Sequence, residues 1–230
     1  MYYRLSNTAR VDEIESAFGL PFRYPDLHVK NPLINGLEEE SLPLITNLEP
    51  DNIQYGIWGI LPEGFKEDWA DFQKTQNTLN FHVKNLDSSK ILSINKRCLF
   101  IVTGFFFSYE HDGEVYPFYA YSKSKEPFGL AGIFNKTYEG FITGSILLSS
   151  ICSKFDKYNN LSNTMPIVVG SDNYNAWLGE DYVHLLKDNL SEFDRLDFHA
   201  HSIAKEFYKN DIIYNSLLEP TDYKALSIQF

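Results

Sequence analysis

Residues 97–108, Arg97-Cys98-Leu99-Phe100-Ile101-Val102-Thr103-Gly104-Phe105-Phe106-Phe107-Ser108, restrict the folds open to this chain more than any other segment. After Arg97 the first half is an unbroken apolar run, the signature of a buried strand, and it passes through Thr103 and one glycine into three phenylalanines. A few residues on, Asp112-Gly113 separates the apolar stretches 105–109 and 115–121. Both central residues of a two-residue hairpin turn must tolerate positive φ. Asp and Gly do, so the dipeptide predicts a tight antiparallel hairpin. A chain built around these residues is organised by strands.

The flanking sequence supports that reading. Strand character recurs at residues 53–61, 91–107, 128–134 and 140–148. Residues 8–18 read as a helix with Thr8 as cap, Val11, Ile14 and Phe18 near one face, and Gly19 at the terminating position. Residues 20–52 hold five of the ten prolines and read as loop with short strands; their acidic triplet Glu38-Glu39-Glu40 reads as a solvated face. Helical patterns return at 172–189 and 202–217, with Pro220 ending the second. Strands in the middle and helices at the ends predict an α+β fold, one domain over residues 1–230 with a mostly antiparallel β core and peripheral helices.

Charge and residue usage narrow the function. The net charge of −11 is the opposite of the basic balance typical of nucleic-acid binders. Phosphate binding would require the 20 Lys and Arg to gather on one surface, and Lys84, Lys90, Lys96 and Arg97 offer one modest strip. No apolar run approaches the ~18 residues of a membrane span. The N-terminal Met1-Tyr2-Tyr3-Arg4 has no apolar signal core, which predicts a cytoplasmic chain and leaves the sequons at Asn135, Asn160 and Asn189 without meaning. Cys98 and Cys152 have no metal-ligand spacing and read as inert core residues. His199-Ala200-His201 puts two imidazoles on one face if extended, but lacks a third ligand, so the expectation is no metal and no cofactor. Thr143-Gly144-Ser145 lacks the flanks of a phosphate loop.

The segment from Arg97 also resembles the RCLVPADGFYEW block of the SRAP family, the SOS-response-associated peptidases that process abasic sites in DNA. Other blocks follow in the right order. Arg4 stands at the Arg of MCGR, and Trp58-Gly59-Ile60-Leu61-Pro62 resembles WGLIP. Asn80-Phe81-His82-Val83-Lys84-Asn85 keeps only the Asn of NARxET. Pro117-Phe118-Tyr119 and Ala131-Gly132-Ile133 resemble the PYF and AGL strands. Leu161-Ser162-Asn163-Thr164-Met165-Pro166-Ile167-Val168 is similar to IHxRMPVI, with Trp177-Leu178 beyond. The resemblance implies a barrel-like β core and a single-strand DNA groove. It also implies covalent capture of abasic sites and autopeptidase activity.

At the reactive positions the chain departs from the family. The family's cysteine, freed by removal of Met, traps the sugar aldehyde with its amine and thiolate; here that position is Tyr2. A phenol of pKa ~10 is about a thousandth ionised at pH 7 and cannot close that ring. Tyr is also bulky enough that Met1 is expected to stay attached. The family's proton-transferring Glu is Phe107, a loss worth ~10²–10⁴ in rate, and its His is Ser162. Thr164 replaces the Arg of RMP, and His82 the Arg of NARxET. Of the catalytic set (Tyr2, Asn80, Phe107 and Ser162) only Asn80 matches. Arg4, Trp58, His82 and Thr164 are the family-equivalent DNA contacts. Residues 65–72 fall where family members carry a loop beside the groove, and the acids there favour a packed loop over a base-stacking one. Three readings stay open: a degenerate member binding single-stranded or abasic DNA weakly, a groove turned over to a protein or peptide partner, and residual Schiff-base chemistry at the Met1 amine. Whether the chain is an enzyme is left undecided.

Overall fold

The computed structural model describes residues 2–88, 94–151, 159–180, 182, 197–209 and 215–226. Met1, Lys90, Cys152 and, of the anticipated helix 172–189, residues 181 and 183–189 lie outside them.

Strands dominate, in two sheets. The five-stranded sheet has the order β13 (Phe198–Ser202), β8 (Glu114–Ser122), β7 (Gly104–His111), β1 (Arg4–Asn7), β2 (Asn31–Asn35). In the second sheet β3 (Ser41–Thr46), β4 (Glu49–Trp58), β6 (Arg97–Val102), β9 (Phe128–Lys136) and β10 (Ile142–Ser150) close into a ring, because β10 pairs with both β4 and β9. Short strands β5 (Asn80–His82), β11 (Thr164–Pro166) and β12 (Val168–Val169) extend the ring's edges. Pairing is antiparallel except along β10, which runs parallel to β4 and β5. The α+β, mostly antiparallel, barrel-like expectation is met.

The hairpin sits where Asp112-Gly113 places it. His111 pairs with Glu114, and the two turn residues have φ of 51° and 80°. The apolar run at 97–108 is two strands in different sheets. They part at Thr103, whose N–H donates to the Ser6 carbonyl at 2.8 Å. Glycine is required at the next position, since a Cβ on Gly104 would lie 2.2 Å from the Tyr119 ring. The switch lets Phe100 and Val102 of one sheet pack in the same apolar core as Phe105, Phe107 and Phe118 of the other.

The helical expectations fared unevenly. Helix α1 (Val11–Phe18) ends at Gly19 in the left-handed region as anticipated. Its cap is Arg10 rather than Thr8: Glu13 accepts the Arg10 N–H at 2.7 Å, while Thr8 bonds Thr103. Residues 65–72 pack as expected but include the start of a helix, α2 (Trp69–Thr75), capped by Asp68 accepting the Asp71 N–H at 3.0 Å. Of residues 172–189, a short turn and α3 (Tyr174–Leu178) are described. The helix anticipated at 202–217 is absent from its described part. The last residue of β13 and two single-turn 3-10 segments occupy it. Ile203, Phe207 and Leu217 do bury together against Phe106 and Tyr119. The apolar spacing was real, but strand and turn backbone satisfied it.

Candidate functional site

Strand β1 lies between β7 and β2, and the residue two before it, Tyr2, enters the seam between the sheets. Its ring is 4% exposed and meets Phe105 edge-on, with centroids 6.0 Å apart. The phenol donates to the Thr164 carbonyl at 2.8 Å and accepts from Asn159 Nδ2 at 3.0 Å. Burial pushes its pKa far up, an effect only partly opposed by Asn159. At physiological pH Tyr2 is therefore a neutral hydroxyl. Asn80 donates its Nδ2 proton to the Tyr2 carbonyl. That fixes the backbone from the β5 side, and Asn80 Oδ1 has no hydrogen-bond partner among the described residues.

A pocket of about 170 Å³ opens against Tyr2, bounded by Tyr3, Arg4, Phe107, Ser108, Ser162 and Phe207 among others. Arg4 is 4% exposed, with its guanidinium carbon 4.5 Å from the Phe207 ring centroid and 5.2 Å from that of Tyr3. Phe107 stacks on Phe118, with centroids 5.7 Å apart and planes 3° from parallel. Ser162 sits 3.0 Å from the Thr164 hydroxyl and accepts the Thr164 N–H at 3.2 Å, a local turn motif. Tyr208 donates to Ser108 at 2.8 Å; burial, chiefly, raises its pKa to about 12. The pocket thus holds one guanidinium, hydroxyls, an amide and aromatic faces. No carboxylate, imidazole or thiol is among its lining residues.

The positions singled out in the sequence separate into groups. Tyr2, Arg4, Phe107 and Ser162 share the pocket, while Asn80 and Thr164 reach it through Tyr2. Trp58 has no exposed surface and donates to the Leu79 carbonyl at 2.9 Å, so no face is free in this conformation to stack on a base. His82 lies on β5, outside the pocket lining, and accepts the Lys84 N–H. Burial first, then Lys84, lowers its pKa, which keeps the ring neutral at pH 7. Arg97 is not part of a surface strip. It is 3% exposed and donates to the carbonyls of Ile94, Trp177 and Gly179 at 2.8, 2.8 and 2.6 Å. Those last two carbonyls belong to the end of α3, where the outward dipole favours a cation.

His199 and His201 lie on one face of β13 as anticipated, but His201 Nε2 is 2.8 Å from the Leu218 carbonyl. No group of three metal-ligating side chains occurs among the described residues. Cys98 is fully buried, which holds its thiol well above the usual range. No described helix is long and apolar enough to cross a membrane. Asn159 was missed in the sequence. It touches Tyr2 across 157 positions, and no local pattern marks it.

A closed β ring flanked by a second sheet, with the second residue inserted in the seam, defines the class of structure to which the chain belongs. The family model for SOS response associated peptidase (SRAP) matches residues 1–209, and the chain belongs to that family. Among solved structures, a protein from Bacteroides thetaiotaomicron is 21% identical with a TM-score of 0.80, covering 95% of this chain and 99% of that one. One from Bordetella bronchiseptica is 14% identical with a TM-score of 0.70, covering 88% and 99%. A phage-related protein from the same organism is 12% identical with a TM-score of 0.60, covering 88% and 94%. At these identities the likeness concerns the fold. No curated protein matches the chain.

Proposed function

We propose that this chain is a SRAP protein that has lost covalent capture of abasic sites and autopeptidase chemistry, and that binds single-stranded DNA only non-covalently. The observation that carries the reading is the Tyr2 phenol. It is buried, neutral and held by Asn159 and Thr164. Nothing lining the adjoining pocket can move a proton near pH 7, because Phe107 and Ser162 stand where the family has Glu and His. A lone hydroxyl without a neighbouring base is a weak nucleophile.

Arg4 in the pocket is the one cation among its lining residues, and Tyr3 and Phe207 offer aromatic surface beside it. Such a site gives weak, salt-sensitive affinity for a strand backbone and its bases. The test is incubation with single-stranded oligonucleotides, with and without an abasic site. The expected result is no adduct on a denaturing gel, and retention in a mobility-shift assay that strengthens as salt falls toward ~50 mM. A denaturation-resistant adduct would overturn the loss of chemistry. No retention at the lowest salt would end the DNA half of the reading.

A further inference from the structure

A second depression, sharing no lining residue with the Tyr2 pocket, opens beside β4, the β9–β10 turn and the chain near residues 23–27 and 65–69. Its volume of about 770 Å³ is that of a small-molecule site. It exists because β10 meets β4 only at Ile57 and Trp58 and residues 21–23 pair with β4 only at Ile53, which leaves a gap along residues 54–56.

Two polar side chains border this groove with unmet hydrogen-bonding capacity. Gln54 is 6% exposed, and its Nε2 has no partner among the described residues. The Tyr55 hydroxyl has none either. Burial raises the Tyr55 pKa to about 12, so it remains a neutral donor. Unsatisfied buried polar groups are rare in native proteins and call for an explanation. Neighbours on one strand point to opposite faces, yet both line the groove because it lies along the strand's open edge.

The surroundings specify the ligand. Tyr24 and Phe141 flank the groove at 59% and 58% exposure, two ring faces left in water. Its cations are already engaged: Arg23 and Lys136 both pair with Glu49, at 2.5 and 3.2 Å, and Lys66 lies 4.1 Å over the Tyr138 ring. Glu39, Glu67 and Glu139 also line it, so acids outnumber bases and a phosphate is disfavoured. We propose that the groove binds a planar, uncharged heteroaromatic of nucleobase or nucleoside size. Gln54 and Tyr55 donate to its ring acceptors, and Tyr24 and Phe141 stack on its faces. This site is independent of the DNA reading and remains if that reading fails.

The test uses the full chain and four probes: adenosine, uridine and their 5′-monophosphates. Trp69, 5% exposed, is the one tryptophan among the groove's lining residues, so a ligand-dependent change in tryptophan emission that is lost in Trp69→Phe reports on this site. Saturable binding of at least one nucleoside is expected, about tenfold weaker for its monophosphate. Gln54→Met and Tyr55→Phe keep shape and remove the donors, and each should weaken the nucleoside about tenfold or more. Should either groove variant fail to fold, shifts of the Gln54 side-chain amide in wild-type NMR spectra on nucleoside addition replace it. The proposal is overturned by absence of saturation up to about 5 mM, by monophosphates binding as well as nucleosides, by wild-type affinity in both groove variants, or by an unmoved Gln54 amide.

Discussion

Replacing Tyr2 by Phe removes one oxygen and tests whether the buried phenol is a structural fastening between the two sheets. The hydroxyl bridges Asn159 and the Thr164 carbonyl at 3.0 and 2.8 Å. Without it, Asn159 Nδ2 keeps one long contact of 3.5 Å to that carbonyl, in a side chain only 3% exposed. Two hydrogen bonds of about 1 kcal/mol each, plus part of the penalty for an under-satisfied buried amide, come to about 2–3 kcal/mol. Urea unfolding at pH 7 should show that loss as a lower midpoint with an unchanged slope. A second signature separates burial of the phenol from generic damage. Because the folded pKa is raised, the folded state holds a proton that the unfolded state releases above pH ~10. The stabilisation is complete below that pH and lost as pH rises past it. Tyr55, Tyr119 and Tyr208 are raised in the same direction, so the alkaline limb persists in the variant. It should be shallower by up to about 1.4 kcal/mol per pH unit. A loss below about 0.5 kcal/mol together with an unaltered alkaline limb would refute the reasoning.

Three further outcomes are expected. Phe107→Glu puts a carboxyl where a ring stacks on Phe118 at 7% exposure, and should lose about 2–4 kcal/mol in thermal melts without yielding any DNA adduct. Arg97→Met leaves the carbonyls of Ile94, Trp177 and Gly179 without their donor and should cost about 3 kcal/mol or more in denaturant, with Arg97→Lys recovering only part. His201 has its pKa lowered, chiefly by burial, so the folded state binds fewer protons than the unfolded one. Stability should decline as pH falls below ~6.5 and level off beneath the folded pKa, and His201→Gln should flatten part of that acid limb.

Much of the fold was legible because its signals are local. Asp112-Gly113 encodes a turn through the φ values its residues accept, and Gly19 encodes a helix end in the same way. The 202–217 segment misled because apolar spacing reports which residues are buried, not the backbone that buries them. Helix α2 was hidden because the acids of residues 65–72 were weighed only for a packed against a base-stacking loop and Asp68 was not read as a cap, although Trp69 and Phe72 lie three apart as on a helix face. At the site, the sequence named Tyr2, Phe107 and Ser162, and the structure brings all three to one pocket. Where those residues point was not readable, since Tyr2 finds its partners 157 and 162 positions away. Arg97 looked like surface charge for the same reason: the carbonyls that receive it belong mostly to a distant helix end.

The ring of strands is fastened unequally. Five residue pairs join β10 to β9, but only two join it to β4. A cylinder opens at its weakest stave, so among the ring's joints the one between β10 and β4 should lose amide-exchange protection first. Anything lodged beside that stave would act as a hoop, tightening the whole barrel from one short joint.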